Sequence, residues 1–534
     1  MRKKIILAGA LLGAVTSLGV IGLGYLGWQA LRLPFLPFDL FDWMARALPG
    51  ALITTVIHSI VSIIRGLNLG PTDTTAKLIE QSIALGQFVG GGAVLGAALA
   101  WAFVRRPRTI NRIAVGLGGG LTLVSLAIEA ALGQPPVGWP LTLLWLAALN
   151  LAWALGLARI MRGPTGEPSE PVLVALQRRQ FLTVLGGALG IGLGSFVIAR
   201  WLQRSVASPS PQPLATNLGA GETSGPAASP SEAELAARIQ PAPGTRAELT
   251  PNAAFYRIDI NTLPPSIDGG SWRLSLDGLV GQPQTYTIQD LLNRPSASQV
   301  VTMQCISNPV GGDLTSTSRW TGVPLKVLLA EAGLRGGAQA IQMESEDGFY
   351  ESLSIDEAMD ERVLLVYAMN DAALPVEHGF PLRIYIPGHY GMKQPKWLTH
   401  MEVIANPGRG YWVERGWSQT AIPQTTSVID TVAVEAADPK TGTVPVGGIA
   451  WSGDRGISKV EVQVDGGDWM AAKLRTPPLS PLSWVQWRLD WPMEKGSHEF
   501  KVRSYDGAGQ LQVLSPGDPY PDGATGVDTY RARI

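Results

Sequence analysis

The stretch Val300-Val301-Thr302-Met303-Gln304-Cys305-Ile306-Ser307-Asn308-Pro309-Val310-Gly311-Gly312 divides into two halves. Its first five residues form an apolar, strand-like run, and its last seven carry the Asn, Pro and Gly pattern of a loop. Between them stands Cys305, the only cysteine in 534 residues. A lone thiol cannot close an intrachain disulfide. It packs inertly, reacts, or ligates a metal, and free cysteines are often simply buried. The residues around it bear on the choice.

Outward from Cys305, residues 272–277 alternate apolar and polar and read as a half-buried strand. Residues 287–292 and 324–332 read as short helices, and 362–369 and 382–386 as buried strands. Such a mixture, without regular βαβ repeats, predicts an α+β domain over 246–424. From residue 425 the chain turns to strands and turns. Residues 459–464 alternate cleanly and run into Asp465-Gly466-Gly467, a hairpin signal. Residues 484–491 and 498–505 continue the pattern, predicting an immunoglobulin-like β-sandwich over 425–534.

The chain is too long for one ordinary domain. Its net charge of −1 gives no electrostatic footprint for nucleic acid. The lack of cysteine pairs leaves the compartment open. Residues 1–204 are rich in Leu, Ala, Gly, Ile and Val and read as an α-helical membrane region. Six apolar runs stand out, at 5–30, 51–64, 83–103, 113–132, 141–160 and 181–201. A span needs roughly 17–25 residues. Five runs meet that; the second is short and reads as interfacial or re-entrant unless it extends backwards, so five or six spans are expected.

Arg105, Arg106, Arg108 and Arg112 crowd one loop, and Arg159, Arg162, Arg178 and Arg179 another. The loop at 133–140 carries no charge. Positive loops stay cytoplasmic, so the last run leads outward and the rest of the chain is expected to be extracytoplasmic. Arg2, Lys3 and Lys4 favour an inside start, which requires the second run not to cross. Arg178-Arg179-Gln180-Phe181-Leu182 opens a glycine-rich apolar segment and resembles a twin-arginine export signal, or simply flanks a membrane helix. Gly190, Gly192 and Gly194, like Gly116, Gly118, Gly119 and Gly120, sit in membrane runs and read as helix-packing positions rather than a nucleotide loop. His58 is the only histidine before His378, so a bis-histidine haem is not expected in the membrane half. Residues 205–245, rich in Pro, Ser, Ala and Gly, read as a flexible linker.

Several motifs recur in order. After the Cys305 block come Asn370-Asp371, His378-Gly379-Phe380-Pro381-Leu382-Arg383, Pro387-Gly388-His389-Tyr390-Gly391 and Lys396-Trp397-Leu398. Ala450-Trp451-Ser452-Gly453 and Asp465-Gly466-Gly467 follow. Together they resemble the sulfite-oxidase-type molybdopterin enzymes over about 250–534. The resemblance implies a sulfite-oxidase-like molybdopterin-binding fold followed by an immunoglobulin-like dimerisation domain. It implies one molybdenum-molybdopterin per chain, with Cys305 as protein thiolate to the metal; only the deprotonated sulfur binds. Such a centre moves one oxygen atom and two electrons, and electrons leave singly to a partner. Ser307, Asn308 and the Gly311-Gly312 turn are the candidates around the sulfur. His378, Arg383 and Lys396 match the family's positions for the phosphate tail. Tyr256 and Arg257 fall where its amino-terminal segment touches the pterin, and Gly388 lies in a matching cofactor motif.

Two departures bear on substrate. The arginines that follow the family cysteine in true sulfite oxidases are replaced by Ile306-Ser307-Asn308-Pro309. The family's tyrosine near the metal corresponds to Trp417, with Tyr411 and Trp412 nearby. Cys305, Arg383 and Trp417 are therefore the expected catalytic set, with Arg415 and Arg455 as further sources of charge. An oxyanion such as sulfite and a neutral S-oxide or N-oxide both remain open. So does a non-catalytic, membrane-anchored binding protein with a vestigial site. The expected partners are the lipid bilayer, a cytochrome or quinone-linked membrane subunit, and a second copy of the chain. His389 reads as a supporting group and His400 as structural.

Overall fold

The computed structural model describes residues 2–133, 135, 137–162, 178–205, 230–438 and 440–534. Most of the expected linker lies outside the described residues, and so do the side chains of Arg178 and Arg179. The described residues fall into two compact units. One contains Met1–Leu48, Thr75–Ser210 and Ile260–Leu263; the other contains Pro49–Thr74, Pro211–Asp259 and Pro264–Ile534.

The helices in chain order are α1 (Arg2–Leu31), α2 (Leu36–Ala47), α3 (Gly50–Gly66), α4 (Thr72–Arg105), α5 (Ile110–Leu132), α6 (Trp139–Arg162) and α7 (Arg178–Ser205). In the first unit α1 packs along α7, and α5 along α6. Among the described residues, five stretches are long and apolar enough to cross a membrane: Lys3–Leu31, Thr72–Arg105, Pro107–Leu132, Trp139–Arg162 and Leu182–Ala199. The second apolar run becomes α3, which is too short to join them and groups with the other unit. Its polar Thr54, His58 and Arg65 recur at helical spacing along one side, which suits packing against protein.

The glycines divide. An added Cβ on Gly13 of α1 would lie 2.9 Å from the Gly96 Cα of α4, and one on Gly118 3.0 Å from the Leu151 Cα. Gly192 similarly approaches the Leu18 carbonyl. Close helix packing therefore explains Gly118 and Gly192. It does not explain Gly116, Gly119, Gly120, Gly190 or Gly194, where an added Cβ meets nothing within 4 Å.

The second unit begins with strands β1 (Leu274–Gly278), β2 (Gln284–Tyr286), β3 (Ala297–Gln304), β4 (Thr315–Pro324), β5 (Ala340–Ser345), β6 (Tyr350–Ser354), β7 (Leu364–Met369), β8 (Ala372–Ala373), β9 (Arg383–Tyr385) and β10 (Leu398–Ile404). The order β2-β1-β10-β5-β6 makes one sheet, parallel only between β1 and β10. The order β3-β4-β7-β8 makes a second, with β9 paired to β7. Short helices α8 (Glu232–Ala236), α9 (Ile288–Leu292), α10 (Leu325–Ala332) and α11 (Ile355–Ala358) complete this part. Thr287 and Asp290 form a capping box that starts α9, and Ser354 and Glu357 one that starts α11. Leu274, Leu276, Leu328, Met343, Leu365 and Met401 are among the buried residues of its core.

Two four-stranded sheets follow, built from β11 (Thr426–Val432), β12 (Thr443–Trp451), β13 (Ile457–Val464), β14 (Met470–Ala471), β15 (Lys473–Leu474), β16 (Val485–Pro492), β17 (Ser497–Asp506) and β18 (Asp528–Arg533). Their orders are β11-β12-β16-β15 and β14-β13-β17-β18. Val446, Val462, Trp487 and Phe500 share the core they bury. This is the expected sandwich.

One strand escapes the pattern. β4 reads Thr-Ser-Thr-Ser-Arg-Trp-Thr-Gly-Val-Pro, yet Thr315, Ser316, Thr317 and Ser318 are all buried. Two of its hydroxyls meet those of β3 across the antiparallel register: Thr302 bonds Thr317, and Ser298 bonds Thr321 at 2.7 Å. Such pairing offsets the cost of burying a hydroxyl, whereas Ser318 Oγ has no partner among the described residues.

Trp487 is fully buried in the sandwich. Trp487→Ala should destabilise that domain by roughly 3–5 kcal/mol. The check is a lower urea midpoint by intrinsic fluorescence.

Candidate functional site

Strand β3 ends at Gln304 and delivers Cys305 into a loop that the chain closes upon itself. Cys305 N–H donates to the Leu314 carbonyl at 3.0 Å, and Asn308 N–H to the Cys305 carbonyl at 3.0 Å. Asn308 Oδ1 accepts from Leu314 N–H at 3.0 Å, while Nδ2 donates to Thr315 Oγ1 at 3.1 Å. Thr315 in turn donates to Gln304 Oε1 at 2.9 Å. Both ends of the Asn308 amide thus hold the loop; the residue acts on the site by shaping it. Gly311 adopts φ +69°, and a Cβ on Gly312 would crowd the Pro309 carbonyl at 2.8 Å.

The Cys305 sulfur lies 3.0 Å from Ser307 Oγ and is 9% exposed. Burial pushes the thiol up from its ordinary value, and the Ser307 contacts only partly offset this. Without a cation at the sulfur the group stays a neutral thiol; a bound metal would take the proton's place. Two tyrosines close in. Tyr256 N–H donates to Ser316 Oγ at 3.1 Å, and burial, then the Cys305 sulfur, push its phenol up, with Arg383 opposing. The Tyr390 hydroxyl accepts from Gln424 N–H at 2.9 Å and is pushed up to about 12, mainly by burial. Sequence reading quoted Tyr390 within a motif but gave it no place beside the sulfur.

The basic residues lie nearby. Arg383 is 4% exposed. Its hydrogen bonds go to carbonyls, of His378 at 3.2 Å and Gln394 at 3.5 Å, and its Nε has no partner among the described residues. The guanidinium also sits over the Trp320 ring at 4.8 Å. Burial lowers it to about 10, so it stays charged at neutral pH. Lys396 pairs with Asp259 and donates to the Glu377 carbonyl at 3.0 Å; burial lowers it to about 8. Arg257 also pairs with Asp259, and its own N–H donates to Asp73 at 2.9 Å. Asp259, fully enclosed, is the residue sequence reading missed. A signal was present: Arg257 and Asp259 alternate in an extended segment, so they share a side. Gly379, at φ +113°, lets this corner close, because a Cβ there would sit 3.0 Å from Arg383 Cβ and 3.2 Å from Lys396 Cβ.

His378 differs from the cation it was expected to be. Its Nε2 faces the Asn252 carbonyl at 3.1 Å, so Nε2 carries the proton and Nδ1 is bare. Burial, then Lys396 and Arg383, lower it to about 4. It is a neutral hydrogen-bonding group, and charge for a phosphate has to come from the arginines and Lys396. Gly388 lies against the Asp454 carboxylate, where an added Cβ would be 3.1 Å from Oδ1.

Trp417 belongs to a buried cluster with Ile306, Tyr390, Met392, Trp451 and Trp484. Its ring meets Trp412 at 6.5 Å and Tyr520 at 5.2 Å, and Tyr411 meets Trp412 at 5.2 Å. These rings pack as one aromatic cluster. Arg415 stacks on Tyr411 at 3.5 Å, and Arg455 donates to the Pro423 carbonyl at 2.6 Å. His389 bridges Thr420 O at 2.7 Å and Glu357 at 3.0 Å beside a cleft of about 270 Å³. His400 faces Asp277 at 3.0 Å on β10.

The residues fit a metal-bound ligand with a phosphate tail. A soft sulfur stands at one end. At the other, Arg383 is a buried cation hydrogen-bonded, among the described residues, only to carbonyls, an arrangement that an anion would complete. Asp259 already balances Arg257 and Lys396, so a phosphate is drawn first to Arg383.

Two outcomes follow from the charges. The folded state disfavours protonating His378, so stability falls as pH drops from 6.5 toward 4, where the unfolded chain binds the extra proton. This contributes at most roughly 3 kcal/mol; His378→Asn should flatten the acid limb of a urea-midpoint-against-pH curve. Inorganic phosphate binding to cofactor-free protein should weaken as pH rises through about 8, where Lys396 loses its proton. Calorimetry should show that slope vanish in Lys396→Ala.

Residues 261–412 match the family model of the oxidoreductase molybdopterin binding domain, and 418–517 that of the Mo-co oxidoreductase dimerisation domain. Sulfite oxidase of Gallus gallus is 31% identical over 313 residues, covering 49% of this chain and 68% of that protein. Mitochondrial sulfite oxidase of Homo sapiens is 31% identical over 301 residues, 48% of this chain and 55% of that one. The chain thus spans little more than half the length of the human relative. An Azospira oryzae protein named as a protein-methionine-sulfoxide reductase subunit, YedZ1, is 26% identical over 152 residues, 28% of this chain and 56% of that one. Among solved structures, the sulfane dehydrogenase SoxCD of Paracoccus pantotrophus aligns at 20% identity and TM-score 0.47, covering 62% of this chain and 96% of that one. The thiol loop, its buried cations, the two family-model matches and the sulfite oxidase of Gallus gallus agree: the chain belongs to the sulfite-oxidase-type family of molybdopterin-dependent oxidoreductases.

Proposed function

We propose that this chain is a membrane-anchored oxidoreductase whose catalytic unit faces away from the cytoplasm and reduces a neutral S-oxide or N-oxide. The observation that carries the reading is the enclosed Cys305 thiol, held at a strand end by a self-closed loop beside an aromatic wall. When bound, the molybdenum-pterin group supplies two-electron oxygen-atom transfer. Cys305 gives it a thiolate, and Ser307 Oγ hydrogen-bonds that sulfur and so tunes it. Arg383, then Lys396 and Arg257, hold the phosphate tail; His378 Nδ1 accepts a hydrogen bond from the cofactor. Tyr256 and Tyr390 exclude water from the sulfur.

The reaction consumes two electrons and two protons per oxide, releasing the reduced compound and one water. Trp417 and its neighbours favour an uncharged substrate, because an aromatic wall does not compensate an oxyanion. A second reading, sulfite oxidation to sulfate with water as oxygen source and two electrons released, is favoured by the sulfite oxidases among the relatives. Arginines clustered at 105–112 and near α7 support the outward placement of the catalytic unit. The dimerisation-domain match supports a homodimer. Electrons reach the site from a cytochrome or a quinone-linked membrane partner.

Purified protein from cells that make molybdopterin should contain about one molybdenum per chain and release a fluorescent pterin. With reduced viologen as donor it should turn over a dialkyl or aryl S-oxide. Cys305→Ser should abolish turnover while leaving the unfolding midpoint close to wild type. Full turnover in that variant, or a folded preparation free of molybdenum and pterin, defeats the assignment.

A further inference from the structure

Helix α3 was expected at the membrane, yet it folds with the catalytic unit. Its fastenings reach three separate parts of the site. At its start, a Cβ on Gly50 would lie 2.8 Å from Arg415 Cα, two residues before Trp417. At its end, Arg65 Nη2 donates to the Val310 carbonyl of the thiol loop at 3.2 Å. Just beyond it, Thr72 N–H donates to Asp313 at 2.8 Å, and Asp73 accepts from Arg257 N–H at 2.9 Å. Between these fastenings the His58 ring meets the Trp417 ring edge-to-face, centroids 6.3 Å apart at 88°.

Three buried polar atoms of α3 and Trp417 have no hydrogen-bond partner among the described residues: His58 Nε2, Thr54 Oγ1 and Trp417 Nε1. Each atom is buried. Thr54 as a whole is 6% exposed and Trp417 5% exposed. Thr54 lies one turn before His58 on the same helical side. Buried polar atoms are nearly always satisfied, so an unsatisfied group beside an active site points to something that completes it. The chemistry of the three is specific. Trp417 Nε1 only donates, His58 Nε2 donates in one tautomer, and Thr54 Oγ1 does either. They offer hydrogen bonds without a carboxylate among them, which suits the oxygen of a neutral oxide.

We propose that Thr54 and His58 of α3 form the outer wall of the substrate pocket, with His58 Nε2 and Trp417 Nε1 hydrogen-bonding the oxygen of an S-oxide or N-oxide. This rests on the oxide-reductase reading above and makes α3 a specificity-determining element. A helix in the amino-terminal half thus contributes the binding residue that the Cys305 segment lacks. Substrate affinity then depends on α3 being docked, while delivery of electrons to the metal does not.

The test uses the full-length, molybdenum-loaded protein with reduced viologen as donor. His58→Ala should raise KM for a neutral S-oxide about fivefold to tenfold, the loss of one hydrogen bond, with kcat within about twofold. His58→Gln should recover part of the loss, because it keeps a donor. Thr54→Val, equal in shape, should raise KM about twofold to threefold. An unreactive sulfone, titrated by calorimetry, should bind more weakly in the same order, a readout free of turnover. If His58→Ala loses its molybdenum or aggregates, Thr54→Val and His58→Gln decide alone. Unchanged KM and sulfone affinity in metal-replete variants overturn the proposal but leave the oxide-reductase reading standing. A metal-replete wild type that oxidises sulfite, turns over no oxide and binds no sulfone overturns both.

Discussion

The site depends on the hydrogen bonds by which residues 305–314 close on themselves. Asn308 spans the loop with both ends of its amide, to Leu314 N–H and Thr315 Oγ1, and Thr315 ties back to Gln304 at the end of β3. That closure fixes where the Cys305 sulfur points. A loop closed by its own hydrogen bonds presents the sulfur in one direction, and hydrogen bonds around a ligand orient it. The rigidity comes from β3 and β4, whose hydroxyl pairs stitch the two strands through an otherwise apolar interior.

Charge is organised around the same corner by one carboxylate. Asp259 neutralises Arg257 and Lys396 and leaves Arg383 buried among carbonyls and the Trp320 face. Burial of charge is unfavourable, and it lowers both Arg383 and Lys396 without discharging either at neutral pH. His378, crowded by these cations, is forced neutral and becomes a directional hydrogen-bonding group. One local arrangement therefore sets three protonation states. It separates a group that can hold a phosphate from one that can read a heterocycle.

The membrane-type helices and the catalytic fold share a chain but not a simple boundary. Pro49–Thr74 leaves the helical unit to fold against the thiol loop and Trp417, while Ile260–Leu263 joins the helical unit. Within that unit Thr262 donates to Asp42 through both N–H and hydroxyl, at 2.9 and 2.6 Å, and Arg46 donates to Asn261 at 2.8 Å. The chain exchanges segments between its two units in both directions, so neither could be cut out cleanly at residue 204 or 246.

Much was readable from residue order because local periodicity reports burial. The alternation at 459–464 marked β13, the short helical reading of 287–292 marked α9, and the order of motifs around Cys305 marked the family. β4 was not readable, because buried Ser and Thr look like a surface until the partners across the sheet are known. Asp259 was hidden for a related reason: a carboxylate's role is set by the cations that surround it, and one of these, Lys396, lies 137 positions away. His58 was read only as too few histidines for a haem. Its place beside Trp417 is a matter of which helix docks where, and that depends on contacts between segments far apart in the chain. Residue order thus carried the thiol, the cations and the family; the tertiary fold alone decided protonation states, the closing carboxylate and the contact of α3 with Trp417, because each depends on neighbours brought together from distant sequence.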